Sequence, residues 1–315
     1  MRTRILFCGI ATAAMVAATT TACGGSTSSG GGTSSMGDEL KGASLTVSSK
    51  DFTESIVLGK ITEQLLQAHG ANVTDKTNIK GSVNTRDALT AGQVDMYWEY
   101  TGTAWITYQK NTTPIRDPKE QYDKVKAADA TKGIAWLDMS PMNDTYALAT
   151  RPGEADKLGV HSLSDLAKLP ASEATYCLES EFSTRDDGFP GMTKDYGLNV
   201  GKDQIKMLDT GVIYNETAKG STCNFGEVFT TDGRISALKL TVLEDDKQFF
   251  PNYNAALTMK QSLLDKYPAL ATIMNPVAAK LNNDTMTELN AEVDAQGLPA
   301  DEVAKDWLKK NGFIK

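Results

Sequence analysis

Five aromatic rings, Tyr97, Trp98, Tyr100, Trp105 and Tyr108, fall between Val94 and Gln109, where a 7% aromatic content would supply about one. Ring faces are electron-rich, so such a cluster either fills a core or holds a cation that has no hydrogen-bond donor of its own. Glu99 sits among the rings, and burial there would raise its pKa toward acid–base use. Further rings stand beside turns and expected strand ends: Tyr100 in EYTGT, Tyr146 in MNDTYAL, Phe229 in EVFTTDGR, and Phe249, Phe250 and Tyr253 in FFPNYNAAL. Lobes of α/β type present their ligand groups at such positions.

Signals for catalysis are sparse. The two histidines, His69 and His161, form no H-E-x-x-H or H-x-x-x-H pair, and no G-x-S-x-G elbow is present. KGSTCNFG fits neither that elbow nor a P-loop, and Glu99 has no obvious carboxylate partner. The residues therefore favour binding without a cofactor or metal. An exported two-lobe enzyme using Glu99 or Asp144 is the alternative.

To converge, these rings need a scaffold that brings distant strand ends together. From Ala43 onward a strand (ASLTVSS), a helix (TESIVLGKITEQLLQAHG) and a strand (ANVTDKTNI) alternate, followed by a helix near Thr85 to Ala91 and the strand VDMYW. This rhythm predicts a mostly parallel sheet covered by helices. It repeats after MNDTYALATRPG, where Ser162 and Asp165 form a capping box and ATYCLES and IKMLD read as strands. From Lys260 the chain reads as almost all helix and is expected to pack back on the first lobe. The expected organisation is a first lobe from 43–148 and 251–315, with a second lobe, 149–250, inserted between them. The fold class is thus α/β, two-lobed, with a central ligand cleft.

The start reads as an export signal: Arg2 and Arg4, then an uncharged, mostly apolar run, then small residues up to Cys23. Thr20 to Cys23 resembles a bacterial lipobox, so residues 1–22 are expected to be a lipoprotein signal peptide and Cys23 to carry the lipid. The Gly/Ser-rich stretch 23–42 reads as a flexible tether spanning on the order of 25 Å. About 290 residues remain after the signal, enough for two cores. Cys177 and Cys223 are left as a disulfide pair in an exported protein. The net charge of -8 argues against nucleic acid as a partner.

The segments SKDFTES, GSVNTRDALTAGQVDMYWEYTGT, NDTYAL, STRDDGF, VFTTDGRI and FFPNYNAAL resemble, in order and spacing, the substrate-binding lipoproteins of osmoprotectant ABC importers, the glycine betaine, carnitine and choline family. The resemblance implies a periplasmic-binding-protein-like (type II) fold and an aromatic cage for a trimethylammonium group made of Tyr100, Tyr146, Phe229 and Tyr253. It also implies that Lys50, Thr103 and Arg185 hold a ligand carboxylate. Asp144 would set a negative charge beside the ammonium. Two positions depart from the family pattern, Phe229 where tyrosine is common and Ser55 where glutamine is usual. The implied partners are a small quaternary ammonium solute, a membrane permease, its separate ATPase subunits, and the outer face of the cell membrane through the lipid. Glycine betaine is the expected ligand, ahead of choline, carnitine and proline betaine. A different solute on the same fold, such as an amino acid or ectoine, is the alternative. Closure is expected to hinge near Ala147 to Thr150 and Pro251 to Asn254.

Overall fold

A computed structural model describes residues 37–315. The expected signal peptide, the lipidation site Cys23 and most of the tether lie outside the described residues. Along the chain the strands are β1 (Ser44–Lys50), β2 (Asn72–Ile79), β3 (Met96–Tyr100), β4 (Ile134–Trp136), β5 (Tyr146–Thr150), β6 (Tyr176–Leu178), β7 (Ile205–Met207), β8 (Phe225–Phe229), β9 (Thr241–Val242) and β10 (Ala255–Lys260). They make two sheets, ordered β2-β1-β3-β10-β4 and β7-β6-β8-β5-β9. The protein is a two-lobed α/β molecule.

Each sheet is mixed, not mostly parallel. β1 is parallel to β2 and β3, whereas β10 is antiparallel to β3 and β4. In the second sheet β6 is parallel to β7 and β8, whereas β5 is antiparallel to β8 and β9. The physical reason is the crossing of the chain. Parallel strands of these units end at the cleft, so a strand entering from the other lobe starts at the cleft and must run the opposite way. β5 already pairs in the second sheet at Tyr146, opposite Phe229. The expected hinge at Ala147 to Thr150 therefore falls inside a strand, and the chain crosses earlier, through 137–145.

The two crossing segments bind each other. Tyr253 N–H donates to Asn143 Oδ1 at 2.7 Å, Asp144 N–H to the Tyr253 carbonyl at 3.2 Å, and Asn254 Nδ2 to the Met142 carbonyl at 2.7 Å. Helix Thr53–Ala68 anchors the first lobe by burying Val57, Leu58, Ile61, Leu65 and Leu66 at helical spacing, about 1.5–3 kcal/mol for each large side chain. Helices Asn283–Asp294 and Ala300–Lys310 return onto it, the second through Val303, Ala304, Trp307 and Leu308. Ser162 and Asp165 form their capping box, opening a short 3-10 helix, Leu163–Lys168. The disulfide Cys177–Cys223 is formed, tying β6 to the entry of β8.

The aromatic segment divides its rings between roles. Tyr97 and Trp98 are fully buried, and Trp98 Nε1 donates to Thr62 Oγ1 at 2.8 Å. Trp105 is only half-buried, with Nε1 donating to the Thr113 carbonyl at 2.8 Å. Tyr108 donates its hydroxyl to the Ser82 carbonyl at 2.8 Å. After β3 the backbone winds into a wider π turn, with Gln109 N–H reaching the Ala104 carbonyl at 3.0 Å. π turns of this kind concentrate at functional sites. Gly102 allows the close approach that follows: a Cβ there would stand 2.7 Å from the Asn252 carbonyl oxygen and from the Tyr253 ring.

Candidate functional site

The loops after the parallel strands of both sheets meet at one place. β1 is followed by Asp51 and Phe52, β2 by Lys80 to Ser82, β3 by Thr103, β6 by Glu179 to Glu181, and β7 by Thr210. Strand ends supply Lys50, Tyr100 and Phe229, the entering strands add Tyr146 and Tyr253, and the crossing segment adds Asp144. Together they line a cavity of about 290 Å³. Ligand sites of α/β sheets lie at the carboxyl ends of strands for this geometric reason.

The four expected cage rings share this cavity. Tyr146 stands 5.3 Å from Phe229 and 5.3 Å from Tyr253, centroid to centroid. Phe52, which the sequence reading did not assign, bridges the lobes: it is 5.6 Å from Tyr100 and 5.1 Å from Phe229. Its signal was its place in SKDFTES, next to Asp51 and two residues after Lys50. Burial pushes the phenols of Tyr100, Tyr146 and Tyr253 well above their ordinary pKa, so all three stay neutral.

Beneath the rings lies a buried acidic pair. The Thr231 hydroxyl is 2.5 Å from Glu54 Oε2 and 2.6 Å from Asp144 Oδ1, and Tyr100 donates to Glu54 Oε1 at 2.9 Å. One hydroxyl has one proton, so a carboxyl proton must serve the other contact. Burial raises the pKa of both acids, and for Asp144 the neighbouring Glu54 charge raises it further. Burial thus biases both carboxyls toward holding a proton. Glu54 too escaped the sequence reading, because its partners lie on three separate segments.

The expected carboxylate clamp is more committed than its residue types suggest. Lys50 Nζ bonds Glu99 Oε1 at 2.7 Å and lies 4.9 Å from the Tyr100 ring centre. Glu99, buried and held by Lys50, Tyr97 and its neighbour's N–H, does not line the cavity. Arg185 does not line it either. Its Nε and Nη2 grip both oxygens of Asp187 at 2.7 and 2.5 Å, and Tyr253 also donates to Asp187 at 2.7 Å. Arg185 reaches the site through Thr103 Oγ1, at 3.3 Å from Nη2, and through Glu181 Oε1, at 2.7 Å from Nη1.

Glu181, like Glu54, is an acid that spans the lobes here. Its Oε2 accepts from Ser82 N–H at 2.8 Å, capping helix Ser82–Thr90 from ninety-nine residues away. That helix begins three residues earlier than its sequence pattern indicates, where Gly81 at φ 81° turns the chain. Burial would raise the Glu181 pKa, but Arg185, Lys50 and the Ser82 N–H outweigh it and bring it down to about 2.

Residues 43–310 match the family described as the substrate binding domain of ABC-type glycine betaine transport systems. The chain belongs to this family. A glycine-betaine-binding protein of Pseudomonas aeruginosa is 37% identical over 279 residues, 86% of this chain and 89% of that protein. The solved structure of apo YehZ from Escherichia coli superposes with a TM-score of 0.64 at 33% identity, covering 86% of this chain and 99% of that one. An ergothioneine transport permease and binding protein, EgtU of Helicobacter pylori, is 33% identical over 270 residues, 85% of this chain and 48% of that protein. As a member of the glycine betaine transport family, the chain is a substrate-binding protein of an osmoprotectant ABC importer and not an enzyme. Substrate-binding proteins of such importers are extracytoplasmic, and no helix among the described residues is long and apolar enough to cross a membrane.

Behind the cage, Glu227 is buried on β8 and accepts from Glu179 N–H at 2.8 Å. Burial pushes its pKa up to about 8, with the charges of Glu179 and Glu181 adding to the rise and Arg185 opposing it. A carboxyl that holds its proton more tightly when folded makes stability fall as pH rises from the unfolded pKa to the folded one. Between pH 4.5 and about 8 Glu227 should contribute a slope approaching 1.4 kcal/mol per pH unit. Urea midpoints measured across that range should fall less steeply in Glu227→Gln. Identical pH slopes in the two proteins would show that Glu227 ionises freely.

Proposed function

We propose that the cleft captures a small zwitterion bearing a trimethylammonium group and a carboxylate, glycine betaine first among them, and that the loaded protein delivers it to a membrane permease. The observation that carries this reading is the convergence of Phe52, Tyr100, Tyr146, Phe229 and Tyr253, from both lobes, on one cavity that also exposes Asp144. A quaternary ammonium has no N–H, so directional acceptors cannot select it, whereas ring faces can. Each desolvated contact contributes about 0.5–2 kcal/mol. Micromolar binding requires about 8 kcal/mol, so buried methyl surface and the carboxylate end must supply the remainder.

The carboxylate end has donors at hand in Thr103, the unshared protons of Lys50 Nζ and the amides at the head of helix Ser82–Thr90. Relatives named for glycine betaine, carnitine and ergothioneine agree with a shared trimethylammonium carboxylate pattern. Closure is driven by contacts that exist only when the lobes meet on the ligand. A thermal-shift screen should include glycine betaine, carnitine, proline betaine, ergothioneine, choline, ectoine and common amino acids. Stabilisation by the trimethylammonium zwitterions, growing with concentration, is the expected result. Stabilisation by ectoine or an amino acid alone would overturn it.

A further inference from the structure

The charges around the cavity do not form a set waiting for a ligand carboxylate. Lys50 already has Glu99, and Arg185 already has both oxygens of Asp187. Glu181 is a third acid on these two cations. It sits on the cavity wall with 26% of its side chain exposed, one oxygen on the Ser82 N–H of the first lobe and the other on Arg185 Nη1 of the second. A backbone N–H at a helix N-terminus beside a guanidinium is the environment a ligand carboxylate would choose.

We infer that Glu181 is a built-in substitute for the ligand's carboxylate: it latches the lobes together when the anionic position has no guest, and a zwitterion must displace it whereas choline need not. This rests on the cage reading of the same site. Glu181, Gly81 and Thr184 also line a neighbouring cavity of about 290 Å³, whose walls include Asn84, Lys110 and Arg185. The displaced carboxylate therefore has somewhere to go, toward a second cation, and need not be forced into bulk solvent. The latch consequently sets selectivity. With Glu181 in place a carboxylate-bearing guest meets a like charge, whereas a guest ending in a hydroxyl leaves Arg185 and Ser82 N–H satisfied.

The test is Glu181→Gln, which keeps the shape and removes the charge. Calorimetry should show the ratio of glycine betaine to choline affinity rising ten-fold or more over wild type, because the zwitterion no longer competes and choline leaves Arg185 with one partner fewer. Small-angle scattering of the ligand-free proteins should give a larger radius of gyration for Glu181→Gln, returning to the wild-type value on saturation with glycine betaine. An unchanged affinity ratio overturns the inference whatever the scattering shows. Should the wild-type protein bind neither compound, the cage reading fails instead, and the ligand-free scattering alone decides the latch: equal radii overturn it.

Discussion

Replacing Tyr146 by leucine should lower glycine betaine affinity by roughly 10–30-fold, the equivalent of about 2 kcal/mol at the upper end. Tyr146 is the hub of the ring cluster, with Phe182 at 4.7 Å, Phe229 and Tyr253 at 5.3 Å and Phe250 at 6.1 Å. Leucine keeps the apolar bulk, so the core behind it survives better than it would with alanine, where a large cavity would itself cost about 3–5 kcal/mol. What leucine lacks is the π-face. The control is 3,3-dimethylbutanoate, which has the shape of glycine betaine with carbon in place of the charged nitrogen. Wild-type protein should prefer the cation by about the factor that the leucine variant loses, and the variant should hardly distinguish the two. Titration calorimetry on both proteins with both compounds completes the cycle. An equal loss for cation and isostere would mean that Tyr146 contributes shape alone.

Removing the disulfide should have the largest effect on stability. Cys177 and Cys223 close a loop with a sequence separation of 46, for which chain entropy predicts about 4 kcal/mol. For a chain of this size that corresponds to a drop in Tm of roughly 10 °C. The double substitution Cys177→Ala, Cys223→Ala avoids an unpaired thiol at two buried positions, and alanine at 223 also removes the Sγ that the buried Thr217 hydroxyl touches at 3.9 Å. Calorimetric scans should further split into two transitions, because the bond ties only second-lobe elements and leaves helix Thr53–Ala68 and its partners untouched. A fall of less than a few degrees would show that strain in the bond cancels its entropic benefit.

The ring cluster was legible in the sequence because Tyr100, Tyr146, Phe229 and Tyr253 stand in recognisable turn segments, and these four share one cavity with Lys50, Thr103 and Asp144. Arg185 was legible through the family resemblance as a cation for the ligand carboxylate, whereas the adjacency in STRDDG gives no hint of which neighbouring acid turns inward to grip it, and that acid is Asp187. Glu54 and Glu181 were illegible. Their meaning comes from Thr231 and Ser82, which folding brings to them from distant segments. The strand rhythm read correctly for the parallel units, yet it carried no sign that β5 and β10 enter from the cleft and reverse direction. Direction is a property of where the chain has just been, and local patterning does not encode that.

That reversal has a consequence for how the molecule assembles. β10 lies between β3 and β4, so the first sheet lacks an interior member until Ala255–Lys260 has emerged, long after its other strands. The second lobe, by contrast, is one uninterrupted stretch whose strands all lie between Tyr146 and Val242. As the polypeptide emerges N-terminus first, the inserted lobe is complete while its host still has an open seam. Domains fold as units, and long-range pairings close last. Truncation between residues 250 and 255 should thus yield a folded insert attached to an unfinished, aggregation-prone host.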